Sequence, residues 1–465
     1  MRRFMLMLML LTASLWAQQP TSSTTNAEQQ DPATETGQLK KNCPFKSILG
    51  CAEVLFRGQP LHIAVGSIAP QNGFAGGLAY VGHKDTDNWS TSWSGDGVAS
   101  NNASWRAGMY IKFVDTHLTA STPQMGTANV NPDDFQAYTE RPVYNLYAQV
   151  ISLNKLTFFG EGPNTLESGR SFFGMTEGIM GGGMVRPIYA RLNAGFYAEV
   201  NGRWVNIRPS TGQPSPSIEQ LYNGLTAPGL NNQPFTFQLG AGVRMRPSFK
   251  NNLIHLNYDV AYRPYIATDS DFSFQRLTLD LDHQISLHHT QALTPRDTNG
   301  PNDCSIDPTT SPRACPKVKL QSVQGTLGIR AFTSLAMTPG GGSVPFYFQP
   351  TLGGADINGD NMLSSYQDYR FRAPNVMFFR EYIEHSIGSW PLGVALQADQ
   401  GKVGLTRGDL GSNHWIHSYA AGFTLRAGGF PQVYLLFAFG GNEGTHTIAN
   451  VNTSLLGTAG RPSLF

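Results

Sequence analysis

Charge is scarce in this chain: 14% of its 465 residues are Asp, Glu, Lys or Arg, and the formal net charge is +1. That near-balance leaves no basic footprint for nucleic acid. Long apolar runs are scarce too. Past the first residues nothing approaches the ~18–20 apolar residues of a spanning helix, and Val433 to Phe439, among the most apolar stretches, is far too short. A membrane location is open only to a closed barrel, because backbone groups facing lipid need internal partners. Cysteine is limited to Cys43, Cys51, Cys304 and Cys315. In an exported chain these two close pairs read as local disulfides, and neither has the C-x2-C spacing that favours zinc. There is no G-x-S-x-G elbow or P-loop, and His288-His289 has no HExxH partner. Hydrolase and nucleotide chemistry therefore lack a nucleophile or a cradle. No catalytic, cofactor-binding or metal-binding residue is assigned, and the chain is not read as an enzyme.

What is present begins with Arg2-Arg3, an apolar run from Phe4 to Leu11, and Ala17 as a cleavage residue. This reads as a secretory signal peptide over residues 1–17. Residues 18–44 are rich in Gln, Thr, Ser, Glu and Pro and read as a disordered tail. From there to residue 465 no second break in composition occurs, which makes one domain. Its 50 glycines and 11% aromatic content suit a large β-structure.

Alternation with period two marks the strands. Phe235, Phe237, Leu239, Ala241, Val243 and Met245 share one face, while Thr236, Gln238, Gly240, Gly242, Arg244 and Arg246 share the other. Residues 254–262, 277–287 and 418–426 alternate likewise, with His283 a polar lapse on its apolar face. A soluble sandwich also alternates. Segments near ten residues with a polar face of small and charged side chains match membrane-barrel strands, which run ~9–11 residues. The expectation is an all-β, transmembrane antiparallel β-barrel of about 16 strands. Polar connections near 289–318 and 353–374 are expected on one side, separated by a turn at Pro339-Gly340, whereas 208–234 does not fit that parity. Trp89, Trp93, Trp105, Trp390 and Trp415 fall near strand ends, as a girdle or as core residues. Asp356-Ile357-Asn358-Gly359-Asp360 looks like the start of a calcium loop, but Asn361 and Gln367 occupy positions where Gly and Glu are needed.

Between Pro350 and Gly401 the sequence carries Gly353-Gly354, Leu363-Ser364-Ser365-Tyr366, Arg370-Phe371-Arg372, Arg380-Glu381-Tyr382 and Asp399-Gln400-Gly401. Further upstream stands Phe158-Phe159-Gly160-Glu161-Gly162-Pro163-Asn164. In this order and spacing the segments resemble the BamA-type surface-antigen barrels of bacterial outer membranes. Those carry a long loop folded into the lumen with an Arg-Gly-Tyr motif, an Glu-Tyr-Arg strand and an Asp-x-Gly strand. Here Tyr366 is kept, Ser364 and Ser365 replace arginine and glycine, and Ile383 replaces the strand arginine.

The resemblance implies a long loop folded into the lumen and a barrel lock built from Gly353, Gly354, Ser364, Tyr366, Arg370, Arg372, Glu381, Asp399 and Gly401. With the loop arginine gone, Arg370 or Arg372 is expected to pair with Glu381 or Asp399, or both simply line a wet lumen. The terminal Phe465 is similar to the final aromatic of many such barrels. The tail is too short for periplasmic POTRA domains, so a barrel-only member is expected. Its implied role is insertion or transport of proteins or lipids at the outer membrane. Partners would be outer-membrane lipid, unfolded client proteins or a periplasmic partner, with no cofactor. A passive outer-membrane pore and a soluble exported β-sandwich adhesin are the competing readings.

Overall fold

The computed structural model describes residues 61–115, 141–210, 213, 215–249, 253–293, 318–388, 392–427, 430–441, 443–451 and 462–464. The four cysteines, Trp390, Phe465 and the leader and tail lie outside them. Among these, 64–77 and the residues from 82 on belong to one compact unit, which holds the inner loop and the wall it packs against; 61–63 and 78–81 belong to another.

Nineteen strands occur among the described residues. The first seven are β1 (Leu61–Ser67), β2 (Phe74–Asp85), β3 (Trp89–Ser100), β4 (Trp105–Asp115), β5 (Val143–Phe158), β6 (Ser171–Tyr189) and β7 (Ala194–Pro209). They are followed by β8 (Thr236–Met245), β9 (Ser248–Phe249), β10 (Ile254–Ala267), β11 (Phe274–Leu293) and β12 (Val318–Met337). The short pair β13 (Thr351–Leu352) and β14 (Phe371–Arg372) precedes β15 (Asn375–Ser386), β16 (Leu392–Gly404), β17 (Ile416–Ala427), β18 (Phe430–Gly441) and β19 (Gly444–Val451). Seventeen strands make one large antiparallel sheet, and β13 with β14 makes a separate ribbon. The chain is all-β and of barrel type. Strands such as β11 and β12, at 20 residues each, exceed the ~5–6 residues usual in soluble sheets.

The two faces of the sheet are inverted relative to a water-soluble protein. In β8, Thr236, Gln238, Gly240 and Gly242 are buried while Phe237, Leu239, Ala241 and Val243 are exposed. Strand pairing extends this across the sheet. Leu327, Ile383, Leu396, Ala421 and Phe437 are lateral neighbours on β12, β15, β16, β17 and β18. Leu396 is 55% exposed and Phe437 50%. On the opposite face Asp282, Arg330, Arg380, Asp399 and Ser418 form a polar row across β11, β12, β15, β16 and β17. A soluble sandwich packs its apolar faces together. This sheet turns its apolar face out, as a barrel in lipid does. The polar lapse His283 lies exposed on that outer face, its ring 5.2 Å from Tyr258.

Three expectations about connections are corrected. β12 runs the height of the sheet from Val318 to Met337, so its two ends open on opposite edges. The connections near 289–318 and 353–374 therefore do not share a side. Pro339–Gly341 is a single 3-10 turn, and the apolar 344–348 after it folds against the inner face instead of forming another wall strand. Registers place Pro209, Thr236, Ala267, Phe274 and Met337 along one edge, so 210–235 does open beside the 338–374 loop. Trp93, Trp105 and Trp415 are exposed rather than core, with Trp93 inside β3 rather than at its end. His288 and His289 lie within β11, at a bulge, rather than at its end.

Leu396→Lys tests the outer face. For a water-facing residue the change in stability stays within about 0.5 kcal/mol. Against lipid the expected loss is about 2–4 kcal/mol, measured by denaturant unfolding from vesicles.

Candidate functional site

Residues 338–374 leave β12 at one edge and return to the wall at β15 after lying along the inner face. The apolar half of this loop forms a core with the wall: Leu352, Met362, Leu363, Tyr366 and Phe371 pack with Val376, Phe378 and Val403. Tyr366 meets Phe371 edge-on at 5.0 Å. Gly401 leaves the space this needs, since a Cβ there would lie 2.8 Å from Leu352 Cδ1. Gly354 turns the chain at φ +56°, and any side chain would strike Asp368. Asp368 Oδ1 in turn accepts the Ala355 N–H at 2.9 Å.

The polar half follows the inner row of charges, touching one strand after another. Asp360 accepts from Arg330 of β12 at 2.8 and 3.0 Å, and the same guanidinium donates to Asp280 of β11. The Asn361 carbonyl accepts from Arg380 of β15 at 2.6 Å. Ser364 Oγ accepts from Gln397 of β16 at 3.1 Å. The Ser365 N–H donates to Ser418 Oγ of β17 at 2.8 Å. Six consecutive residues thus cross four strands. Arg380 also holds Asp399 with two bonds, at 2.8 and 3.0 Å, where the Asp399 side chain is fully buried. Charge-assisted, two-point bonds of this kind are the strong class.

The expected pairing of Arg370 or Arg372 with Glu381 or Asp399 is corrected. Asp399 belongs to Arg380, which stands directly opposite in the strand register. Glu381 has the other parity and lies exposed on the outer face between Ile329 and Ala398. Arg370 instead pairs with Glu443 and donates to Thr165 Oγ1 and O at 2.6 and 2.7 Å, its guanidinium lying over the Phe159 and Phe371 rings. Arg372 turns inward to the Phe346 carbonyl at 2.7 Å. Of the other lock residues, Ser364 docks beside Gln397, whose amide also reaches Asp399 at 3.0 Å, and Gly401 lies under Leu352 and Leu363. Gly353 and Gly354 turn the loop against Arg370 and Asp368, and Tyr366 lies by Gly441. Arg330, Arg380, Gln397 and Ser418 went unassigned, although counting parity back from Ile383 puts Arg380 on the face opposite Glu381.

The upstream stretch 158–164 is drawn to the same loop. The Gly162 N–H donates to the Arg372 carbonyl at 2.8 Å, and Glu161 accepts from Gln349 at 2.5 Å. Phe158 packs on Phe346 with centroids 5.2 Å apart. Asp356 uses one oxygen to accept the N–H groups of Asn358 and Asp360, at 2.9 and 2.8 Å, so the calcium-like segment is built as a capped turn. Burial, with Asp360 alongside, pushes the Asp356 carboxyl from an ordinary 3.8 up to about 7. Burial likewise pushes Glu161 from 4.5 up to about 7, against the pull of Gln349 and Arg372.

No protein-family model and no curated protein matches the sequence. Among solved structures, similarity extends to BamA from Haemophilus ducreyi lacking POTRA domains 1-3, at 10% identity and TM-score 0.48, covering 84% of this chain and 67% of that one. CdiB from Escherichia coli matches at 12% identity and TM-score 0.45, covering 82% of this chain and 58% of that one. CdiB from Acinetobacter baumannii matches at 11% identity and TM-score 0.40, covering 81% and 54%. The chain spans little more than half the length of either CdiB.

Two outcomes follow from the site. Asp399→Ala strands the Arg380 guanidinium, and the expected loss of stability is about 3–5 kcal/mol. A double-mutant cycle in heat unfolding should show strong coupling for Arg380 with Asp399 and none for Arg372 with Asp399. The second outcome concerns pH. Asp356 and Glu161 have raised values in the folded chain, so between about pH 4 and about pH 7 it holds protons that the unfolded chain releases. Loop docking should weaken as pH rises through that window and level off above it. Hydrogen exchange of residues 353–370, corrected for intrinsic rates, should be less protected at about pH 8 than at about pH 5. Asp356→Asn should remove much of the difference; an unchanged difference would contradict the assignment.

Proposed function

We propose that the chain is an outer-membrane β-barrel of the BamA-type surface-antigen class that aids insertion or transport of proteins or lipids, and that its role is not enzymatic. The observation that carries this reading is the loop 360–365 laid strand by strand along the inner polar row, beneath a sheet whose outer face is apolar. The outer face supports residence in lipid and disfavours the soluble adhesin, whose strands would turn apolar side chains inward. In the proposed mechanism the loop braces the wall from inside while the first and last strands of the sheet meet at a seam. Transient opening of that seam would offer unpaired backbone groups to the edge of an incoming β-chain, as strand addition does elsewhere.

A passive pore is the second reading. It is favoured by a cavity of about 280 Å³ against strands β5 to β8 and β10, lined by Tyr147, Glu199, Gln238 and Arg263 among others. Reconstitution separates the two. Vesicles carrying the protein should speed the insertion of an unfolded small outer-membrane barrel, and Arg380→Ala should diminish that effect. Steady, large, solute-permeable conductance in planar bilayers with no effect on insertion would favour the pore and contradict the assembly role.

A further inference from the structure

Pro462 to Leu464 lie away from the last strand, which ends at Val451, and against the inner face. Two of the bonds that hold them go to one peptide group. Arg203 of β7 donates to the Ser463 carbonyl at 2.9 Å. The Leu464 N–H donates to Asn358 Oδ1 of the inner loop, also at 2.9 Å. The Leu464 side chain is 6% exposed. We propose that Arg203 and Asn358 form a clamp for a single peptide unit, filled here by this chain's own residues 463–464, and that the clamp accepts an extended polypeptide segment bearing an apolar residue once they are withdrawn. This rests on the barrel reading and names the partner of its inner face.

The donor side of the clamp is fixed in advance. Arg203 is held by Glu177 at 3.0 Å and by Asn201 at 2.9 Å, with the ion pair almost wholly buried. A guanidinium so placed presents its other N–H groups at fixed angles and needs no reorganisation to donate to a carbonyl. The acceptor side is an exposed turn residue on the loop. Recognition through backbone atoms tolerates most sequences but requires an N–H, which excludes proline at the second position. The buried leucine adds a preference for an apolar side chain there. Space for more chain exists alongside, since Pro462 and Ser463 line the cavity of about 280 Å³.

The test uses the full chain and a variant lacking residues 462–465, both in detergent, with a fluorescent peptide of sequence Gly-Arg-Pro-Ser-Leu-Phe. The shortened chain should bind the peptide at least about tenfold more tightly than the intact one, and the peptide with Pro in place of Leu should lose at least about tenfold. In the intact chain, Asn358→Ala should accelerate amide exchange at Leu464. This arm decides the matter if the shortened chain does not fold. Equal binding to both chains, equal binding of the Pro peptide, or unchanged exchange in Asn358→Ala each overturns the clamp. Failure of the barrel reading would be seen separately, as loss of heat-modifiable migration by the intact protein.

Discussion

A carboxylate buried on the inner wall of a sheet must have a cation facing it, and that requirement organises much of what surrounds it. Asp399 meets it through Arg380, its direct neighbour across the β15–β16 ladder. The same guanidinium has a donor left over, which it gives to the Asn361 carbonyl. One buried ion pair thereby becomes an anchor for the loop. Removing either partner would leave an uncompensated charge in a site with little water, a far greater loss than the pair contributes when whole. The apolar contacts of Leu352, Leu363 and Tyr366 add burial, but it is the polar row from Arg330 to Ser418 that sets where along the wall each loop residue sits.

The loop is held from more than one side. Asp360, Asn361, Ser364 and Ser365 tie it to four strands of one wall, while Arg370 and the Arg372 carbonyl reach the 159–170 connection. Asn358 reaches the segment held by β7. A brace attached at several points resists deformation of the wall as a unit, and loosening it requires several bonds to break together. Asp356 and Glu161, two carboxyls with raised values, sit within this brace, which couples its docking to pH.

Much of the wall was legible from alternation alone. The faces assigned to residues 235–245 are those of the structure, because a slip of one residue would turn every side chain over. The loop was legible as polar and glycine-rich, and Gly353 and Gly354 do turn the chain there with positive φ. The ion pair was not legible. Assigning Glu381 as a partner broke the parity rule that the same strand displays through Ile383 and Arg380. The 344–348 stretch reads like a strand because burial against an inner wall selects the same aromatic residues as a sheet does. The position of Leu464 left no trace in pattern, since a bond made through backbone atoms does not constrain side-chain type.

In a lipid-borne barrel, alternate residues of these strands would face acyl chains and the polar inner side. Nitroxide side chains placed separately at residues 239 and 238 of the protein in vesicles, read by collision with oxygen and with a water-soluble nickel complex, test it most directly. High oxygen and low nickel access at 239, with the oxygen preference lost at 238, is the predicted result. High nickel access at 239 would place that face in water and contradict the account.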